Sequence, residues 1–249
     1  MGQIPGDTDI AAVAAVLADP GRARMLLALG DGRALAATTL AAEAGVAAST
    51  ASAHLAKLVQ AELLQVERHG RHRYYRLTGP DVGELLEALA RLAPAAPVRS
   101  LREGSRAHAV RSARTCYDHL AGQLGTAIMT ALIGQGILAG GDGTFDSRDS
   151  GRDRLSSPGW DCDYQLTGTG QAWMDDFGVK VATGSRRPLI RYCVDWSEQR
   201  HHLAGALGAA LLTRLTDIGW VRRAPASRAV HVTGDGRSGL AATFGIKTP

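Results

Sequence analysis

Two sets of residues in this chain have the types and spacing for chemistry. The first begins Ser49-Thr50-Ala51-Ser52-Ala53-His54-Leu55-Ala56-Lys57-Leu58. At helical spacing Ala51, Leu55 and Leu58, with Val59, fall on one side, which turns Ser49, Thr50, Ser52, Ala53 and His54 outward. Side chains that are short or hydrogen-bonding suit a helix that lies in a DNA major groove and touches base edges. Lys57 adds a cation to the same helix. A basic hairpin follows from Gln65 to Leu77, with Arg68, Arg71, Arg73 and Arg76 around Gly70. Such a wing suits phosphate or an adjacent minor groove.

The second set is Cys116, His119, Cys193, His201 and His202. Cys116 and His119 are three apart on a predicted helix, hence on one face. Two thiolates with one of these histidines as a third ligand suit a soft ion such as As(III) or Zn(II). The other reading makes the cysteines small buried hydrophobes, and the sequence leaves both open. Cys162 sits between Asp161 and Asp163, and flanking carboxylates disfavour a reactive thiolate. Aromatic residues are unevenly placed: all four tryptophans (Trp160, Trp173, Trp196, Trp220) and all three phenylalanines lie beyond residue 144. Trp173 and Trp196 therefore join Cys116, His119 and Cys193 as candidate ligand-binding residues in a small-molecule pocket. A core of that size also needs large side chains, so this too stays open. Pairing Cys116 with His119, or Cys193 with Asp195, as nucleophile and base is conceivable. No nucleophile elbow, phosphate loop or paired metal motif supports an enzyme, and no catalytic residue is assigned.

The elements that must position the first set are legible. Asp9–Leu17 reads as an amphipathic helix, and Asp19-Pro20 caps a second, Gly21–Leu29. Residues 33–37 lead into a short helix, Thr38–Ala44. Gly45-Val46 is the turn, since glycine accepts the positive φ of a tight corner. The outward-facing helix then runs from Ala48 to Ala61, with Ala48 or Ser49 at its start. After the hairpin comes Asp81–Leu92, with Val82, Leu85, Leu86 and Leu89 as its apolar stripe. The first and last of these helices expose apolar surface, read here as a dimer interface that two-fold DNA half-sites favour.

The run Asp19-Pro20-Gly21-Arg22, then Leu40-Ala41, Gly45-Val46, Ser49 to Leu58, Leu63-Leu64 and Gly70 to Tyr75 resembles the ArsR/SmtB family. The resemblance covers about residues 9–92 and implies a dimeric winged-helix repressor that leaves operator DNA when a metal or other inducer binds. The family's Cys-x-Cys sensor is replaced by Ala34-Leu35-Ala36-Ala37. Its last-helix site lacks histidine, with Asp81, Glu84 and Glu87 present instead. Metal sensing at the familiar positions therefore does not carry over.

Pro94-Ala95-Ala96-Pro97 reads as a linker, followed by Arg99, Arg102, Arg106, Arg111 and Arg114, expected on a solvated helix face. Beyond it the chain repeats itself. His-Leu-Ala-Gly-x-Leu-Gly occurs from His119 and from His202. Gly136-Ile137-Leu138 answers to Gly219-Trp220-Val221, Leu166-Thr167-Gly168 to Val232-Thr233-Gly234, and Phe177-Gly178 to Phe244-Gly245. The same order of anchors, with equal spacing from the first to the second in each copy, marks a duplication. Each copy is expected to run helix, glycine, helix, short strand, Thr-Gly turn, short helix. If the copies pack about a pseudo-twofold, Cys116 and Cys193 approach each other.

At 249 residues with net charge +4, 45% hydrophobic and 21% charged, the chain has the composition of an ordinary globular protein. Its mild basicity permits nucleic acid. It shows no run of about 18 apolar residues and no signal-peptide pattern, so the expectation is cytoplasmic with no membrane partner. Three cysteines make no disulfide framework. The fold expected is mainly α with small β wings (α+β): a winged helix-turn-helix and dimerisation domain over 1–93, a linker over 94–104, and repeats over 105–182 and 183–249 forming a sensor. The function expected is a homodimeric repressor binding double-stranded operator DNA, released by a small-molecule or metal inducer. As(III) or another soft ion at Cys116 and Cys193 is the alternative, and an enzyme or protein-interaction domain in the extension a further one.

Overall fold

The computed structural model describes residues 8–69, 72–94, 101–145, 164–182 and 187–247. Arg71, Arg99, Trp160, Cys162 and most of the 94–104 linker lie outside them. The chain divides into two compact units, Met1–Gly83 and Glu84–Pro249.

In the first unit α1 (Ile10–Leu17) precedes α2 (Pro20–Ala28), β1 (Leu35–Ala36), α3 (Ala37–Ala44), α4 (Ala48–Gln60), β2 (Leu64–His69) and β3 (His72–Leu77). The Asp19 carboxylate caps α2, accepting from Arg22 N at 2.9 Å, with Pro20 in the first helical position, where its missing N–H costs nothing. Gly45 ends α3 at φ 69, the left-handed corner that the turn requires. Arg24 Nη1 donates to the Ala44 carbonyl at 2.8 Å and satisfies that helix end. α4 starts on Ala48 without a side-chain cap, so neither small hydroxyl near its start serves there. Met25, Leu26, Leu29, Leu40, Leu55 and Leu58 are buried and form the core. β2 and β3 pair antiparallel, and β1 adds to β3 to give a three-stranded wing sheet ordered β1-β3-β2.

α5 (Pro80–Leu92) follows, and the second unit begins within it. Next come α6 (Leu101–Ser112), β4 (Arg114–Cys116), β5 (His119–Ala121), α7 (Gly122–Gly134), β6 (Leu138–Ala139), β7 (Gln165–Leu166) and α8 (Gly168–Phe177). A second series repeats that order: β8 (Arg191–Val194), β9 (His201–Ala204), α9 (Gly205–Asp217), β10 (Val221–Arg223), β11 (Val230–Val232) and α10 (Gly234–Phe244). The correspondence extends to single atoms. Thr167 caps α8 by accepting from Gly170 N, and Thr233 caps α10 by accepting from Gly236 N, both at 2.9 Å. Gly178 and Gly245 end those helices at φ 74 and 67.

One expected element is corrected. The run from Cys116 to Ala121 is a β-hairpin rather than a helix, with Tyr117 at φ 59 at its corner. The helix starts only at Gly122, whose φ of 76 matches the 79 of Gly205. A Cβ at Gly122 would lie 2.5 Å from the Arg111 carbonyl oxygen, so the strand-to-helix switch needs glycine there. The duplicated helices bury Leu124, Ile128 and Leu132 of α7 and Leu207, Leu211 and Leu215 of α9 in one core.

Candidate functional site

Ser49, Thr50, Ser52, Ala53 and Lys57 are exposed on α4, while Ala51, Leu55 and Leu58 are buried beneath them. The short hydroxyls of the helix's first turns thus face solvent on a scaffold fixed by three core contacts. His54 departs from this face. Its Nε2 turns back to within 3.5 Å of Asp19 Oδ1, and a Cβ at Gly21 would lie 3.1 Å from the same nitrogen. The backbone N–H of Arg22, helped by His54, holds the Asp19 carboxyl below its ordinary range. His54 therefore ties α4 to the start of α2, where an imidazole bound for a base edge was expected.

In the wing, Arg68 and Arg73 are exposed and directly opposite each other on β2 and β3. Like charges paired across strands repel, and a bound polyanion relieves that repulsion. Arg76 is ion-paired with Glu67 at 2.6 Å, so its charge is partly spent within the protein. Arg71 lies outside the described residues.

The second unit holds a cluster built from both copies. Cys116 pairs with His119 across β4 and β5, and Cys193 pairs with His202 across β8 and β9. One ligand atom from each of these four residues lies within 4.8 Å of the others. The imidazoles of His119 and His202 stack, with ring centroids 5.2 Å apart. Each packs over a glycine of the other copy: a Cβ at Gly208 would stand 3.2 Å from His119 Cβ, and one at Gly125 would stand 3.6 Å from His202 Cβ. The closest approach at each glycine is to backbone. A Cβ at Gly125 would stand 2.6 Å from the Leu120 carbonyl oxygen, and one at Gly208 would stand 2.6 Å from that of Leu203, so the helix can pack on its own strand only with glycine there.

A carboxylate stands behind each imidazole. Asp118 Oδ1 is 3.2 Å from His119 Nδ1 and is gripped in turn by Arg187. Asp195 Oδ2 is 3.5 Å from His202 Nδ1, just outside hydrogen-bonding geometry. Asp195 itself is fully buried, accepting from Gly122 N at 2.6 Å, Ser197 N at 2.9 Å and Arg114 Nη2 at 2.9 Å. Burial works against its charge, but Arg114, His202 and these donors hold it far below the usual carboxylate range. Burial likewise opposes a charge on His119, yet the Cys116 and Asp118 side chains lift that imidazole to about 9. The Cys193 side chain and burial push the Cys116 thiol well up.

Arg114 also corrects an expectation. It has no exposed surface and stacks on Trp196 at 4.5 Å, so it belongs to the core and not to a solvated face. Trp196 is occupied by that cation. Trp173 stacks on Phe177 at 5.0 Å and leans on Phe244, which packs the ends of the two copies together. An apolar crevice between the copies, lined by Leu120, Gly125, Leu203 and Gly208 among others, has a cavity volume of about 10 Å³, far below the roughly 300–1,000 Å³ of organic-ligand pockets. From sequence, His202 is one of three alternatives for a third ligand, Asp195 is only a candidate base and Arg114 reads as solvated, while the supporting Asp118 is not singled out. The available signal was an aspartate beside a histidine in one copy and beside a cysteine strand in the other.

Among known proteins, the helix-turn-helix domain family matches residues 17–67. The chain is 39% identical over 241 residues to YdfF of Bacillus subtilis (strain 168), an uncharacterized HTH-type transcriptional regulator, across 96% of this chain and 98% of that one. Two solved structures are similar over rather more than a third of the chain. The homodimeric winged helix-turn-helix DNA-binding domain of Mb0332 from Mycobacterium bovis, a possible ArsR-family regulator, is 32% identical over 36% of this chain and 88% of that one, with a TM-score of 0.30. NolR from Sinorhizobium fredii is 27% identical over 38% of this chain and 100% of that one, with a TM-score of 0.32. No helix of the described residues is long and apolar enough to cross a membrane. With its exposed α4, basic wing and end-to-end match to YdfF, the chain belongs to the HTH-type transcriptional regulators, carrying a winged helix-turn-helix and a long C-terminal extension.

Proposed function

We propose that the chain is a homodimeric repressor that reads double-stranded operator DNA through α4 and the β2–β3 wing and is released by an inducer bound in the extension. The observation that carries this reading is the pairing of an exposed Ser49, Thr50, Ser52 face with a wing tip bearing Arg68 and Arg73. Base edges are read by the first, and phosphate is gripped by the second. Dimerisation is supported by Ile10, 73% exposed on α1, and by Leu92, 75% exposed on α5, because apolar side chains left in water at two helices favour a second copy. The extension supplies a site distinct from the DNA site, as release by an inducer requires.

Fluorescence anisotropy on the duplex upstream of the protein's own reading frame tests this. The logarithm of affinity is expected to fall linearly with the logarithm of salt concentration, and each of Arg68→Ala and Arg73→Ala, which removes one phosphate contact from each protomer of the dimer, to reduce that slope by about 1.8. A flat salt response in the intact protein sinks the assignment.

A further inference from the structure

We infer that Cys116, His119, Cys193 and His202 together bind one zinc ion at the pseudo-twofold centre of the duplicated extension. The inference names the ligand of the effector domain proposed above, and metal uptake is measured without DNA, so either reading can fail alone.

The geometry comes first. Each copy delivers one thiol and one imidazole from directly opposed strand positions, so the four donors converge from two sides. A zinc tetrahedron with bonds of about 2.0 Å to nitrogen and 2.3 Å to sulfur has edges of roughly 3.3–3.8 Å. Donor atoms already within 4.8 Å of one another need to draw in by about 1 Å. Next is an unmet need. His119 Nε2 and His202 Nε2 are buried and make no hydrogen bond, a costly state for two polar atoms. Their opposite nitrogens face Asp118 and Asp195. A carboxylate behind a histidine fixes the tautomer that leaves Nε2 free for a metal.

The donor set selects the ion. Two sulfurs and two imidazoles in tetrahedral array suit Zn(II). Arsenite, which prefers sulfur alone, finds two thiols among the described residues of the cluster. Binding displaces to solvent the two thiol protons and any proton on the two Nε2 atoms, and forms two Zn–S and two Zn–N bonds. Two thiolates and one Zn²⁺ leave the buried centre neutral, which avoids stranding a charge in the core.

The test uses the full chain, reduced and stripped of metal. Zinc titration is expected to saturate at one ion per chain with release of at least two protons. X-ray absorption of the loaded protein is expected to show two sulfurs at about 2.3 Å and two nitrogens at about 2.0 Å. Asp118→Asn, half-exposed and outside the donor set, is expected to weaken zinc binding by about 10–100-fold while keeping the same shell. An oxygen and nitrogen shell, a shell of three or more sulfurs, or no stoichiometric uptake by the reduced chain overturns the inference. So does an Asp118→Asn protein that binds zinc as tightly as the parent.

Discussion

Replacing Arg114 by alanine separates two accounts of the extension most sharply. An arginine on a solvated helix face contributes within about 0.5 kcal/mol. In the structure Arg114 has no exposed surface, lies 2.9 Å from an equally buried Asp195, donates to Ser197 Oγ at 3.2 Å and stacks over Trp196 at 4.5 Å. Removing one partner of a buried ion pair typically costs about 3–5 kcal/mol, since the remaining charge is stranded. Asp195 keeps the N–H groups of Gly122, Ser197 and Glu198, which places the expected loss near the lower bound, about 3 kcal/mol. Urea unfolding followed by tryptophan fluorescence reads this directly, because all four tryptophans lie beyond residue 83 and report the second unit alone. Asp195→Asn in the same background should recover part of the loss, since it removes the stranded charge. A loss under about 1 kcal/mol, or no recovery, refutes the buried-pair argument.

Other outcomes follow from the same geometry. Gly208→Ala places a Cβ 2.6 Å from the Leu203 carbonyl oxygen and 3.2 Å from His119 Cβ, so it should cost about 1–3 kcal/mol of overpacking in the same fluorescence assay. Gly134→Ala, with nothing within 4 Å, is the matched control and should cost nothing. Asp19→Ala removes the α2 cap and the partner of His54. It should cost about 1 kcal/mol, visible as faster hydrogen exchange in the first turn of α2.

The winged helix was legible because its signals are local. A capping Asp19-Pro20, a turn glycine and a helical apolar stripe each act within a few residues, and the structure places them as read. His54 was not, because its orientation depends on a carboxylate 35 positions earlier in the chain. In the extension the duplication was legible from repeated anchors, but the secondary structure of its first segment was not. Cys116 and His119 sit three apart, a spacing shared by one turn of helix and by opposed positions of a tight hairpin. Cys193 and His202 are nine apart, and only strand register makes them equivalent to the first pair. Hairpins of unequal length hide that equivalence from any fixed spacing. Arg114 was misplaced for a related reason: its charge suggests water, and only the distant Asp195 and Glu87 make burial tolerable.

The most direct test of the central claim compares the affinity of the intact protein for its upstream duplex with that for a scrambled duplex, at one salt concentration, before and after substitution on α4. Thr50→Val and Ser49→Ala should collapse the ratio by about 1–3 kcal/mol per lost base contact and leave the salt slope unchanged. Arg73→Ala should weaken both duplexes alike. A ratio near one in the parent protein, or one that the α4 substitutions leave intact, contradicts the assignment of α4 as the reading helix.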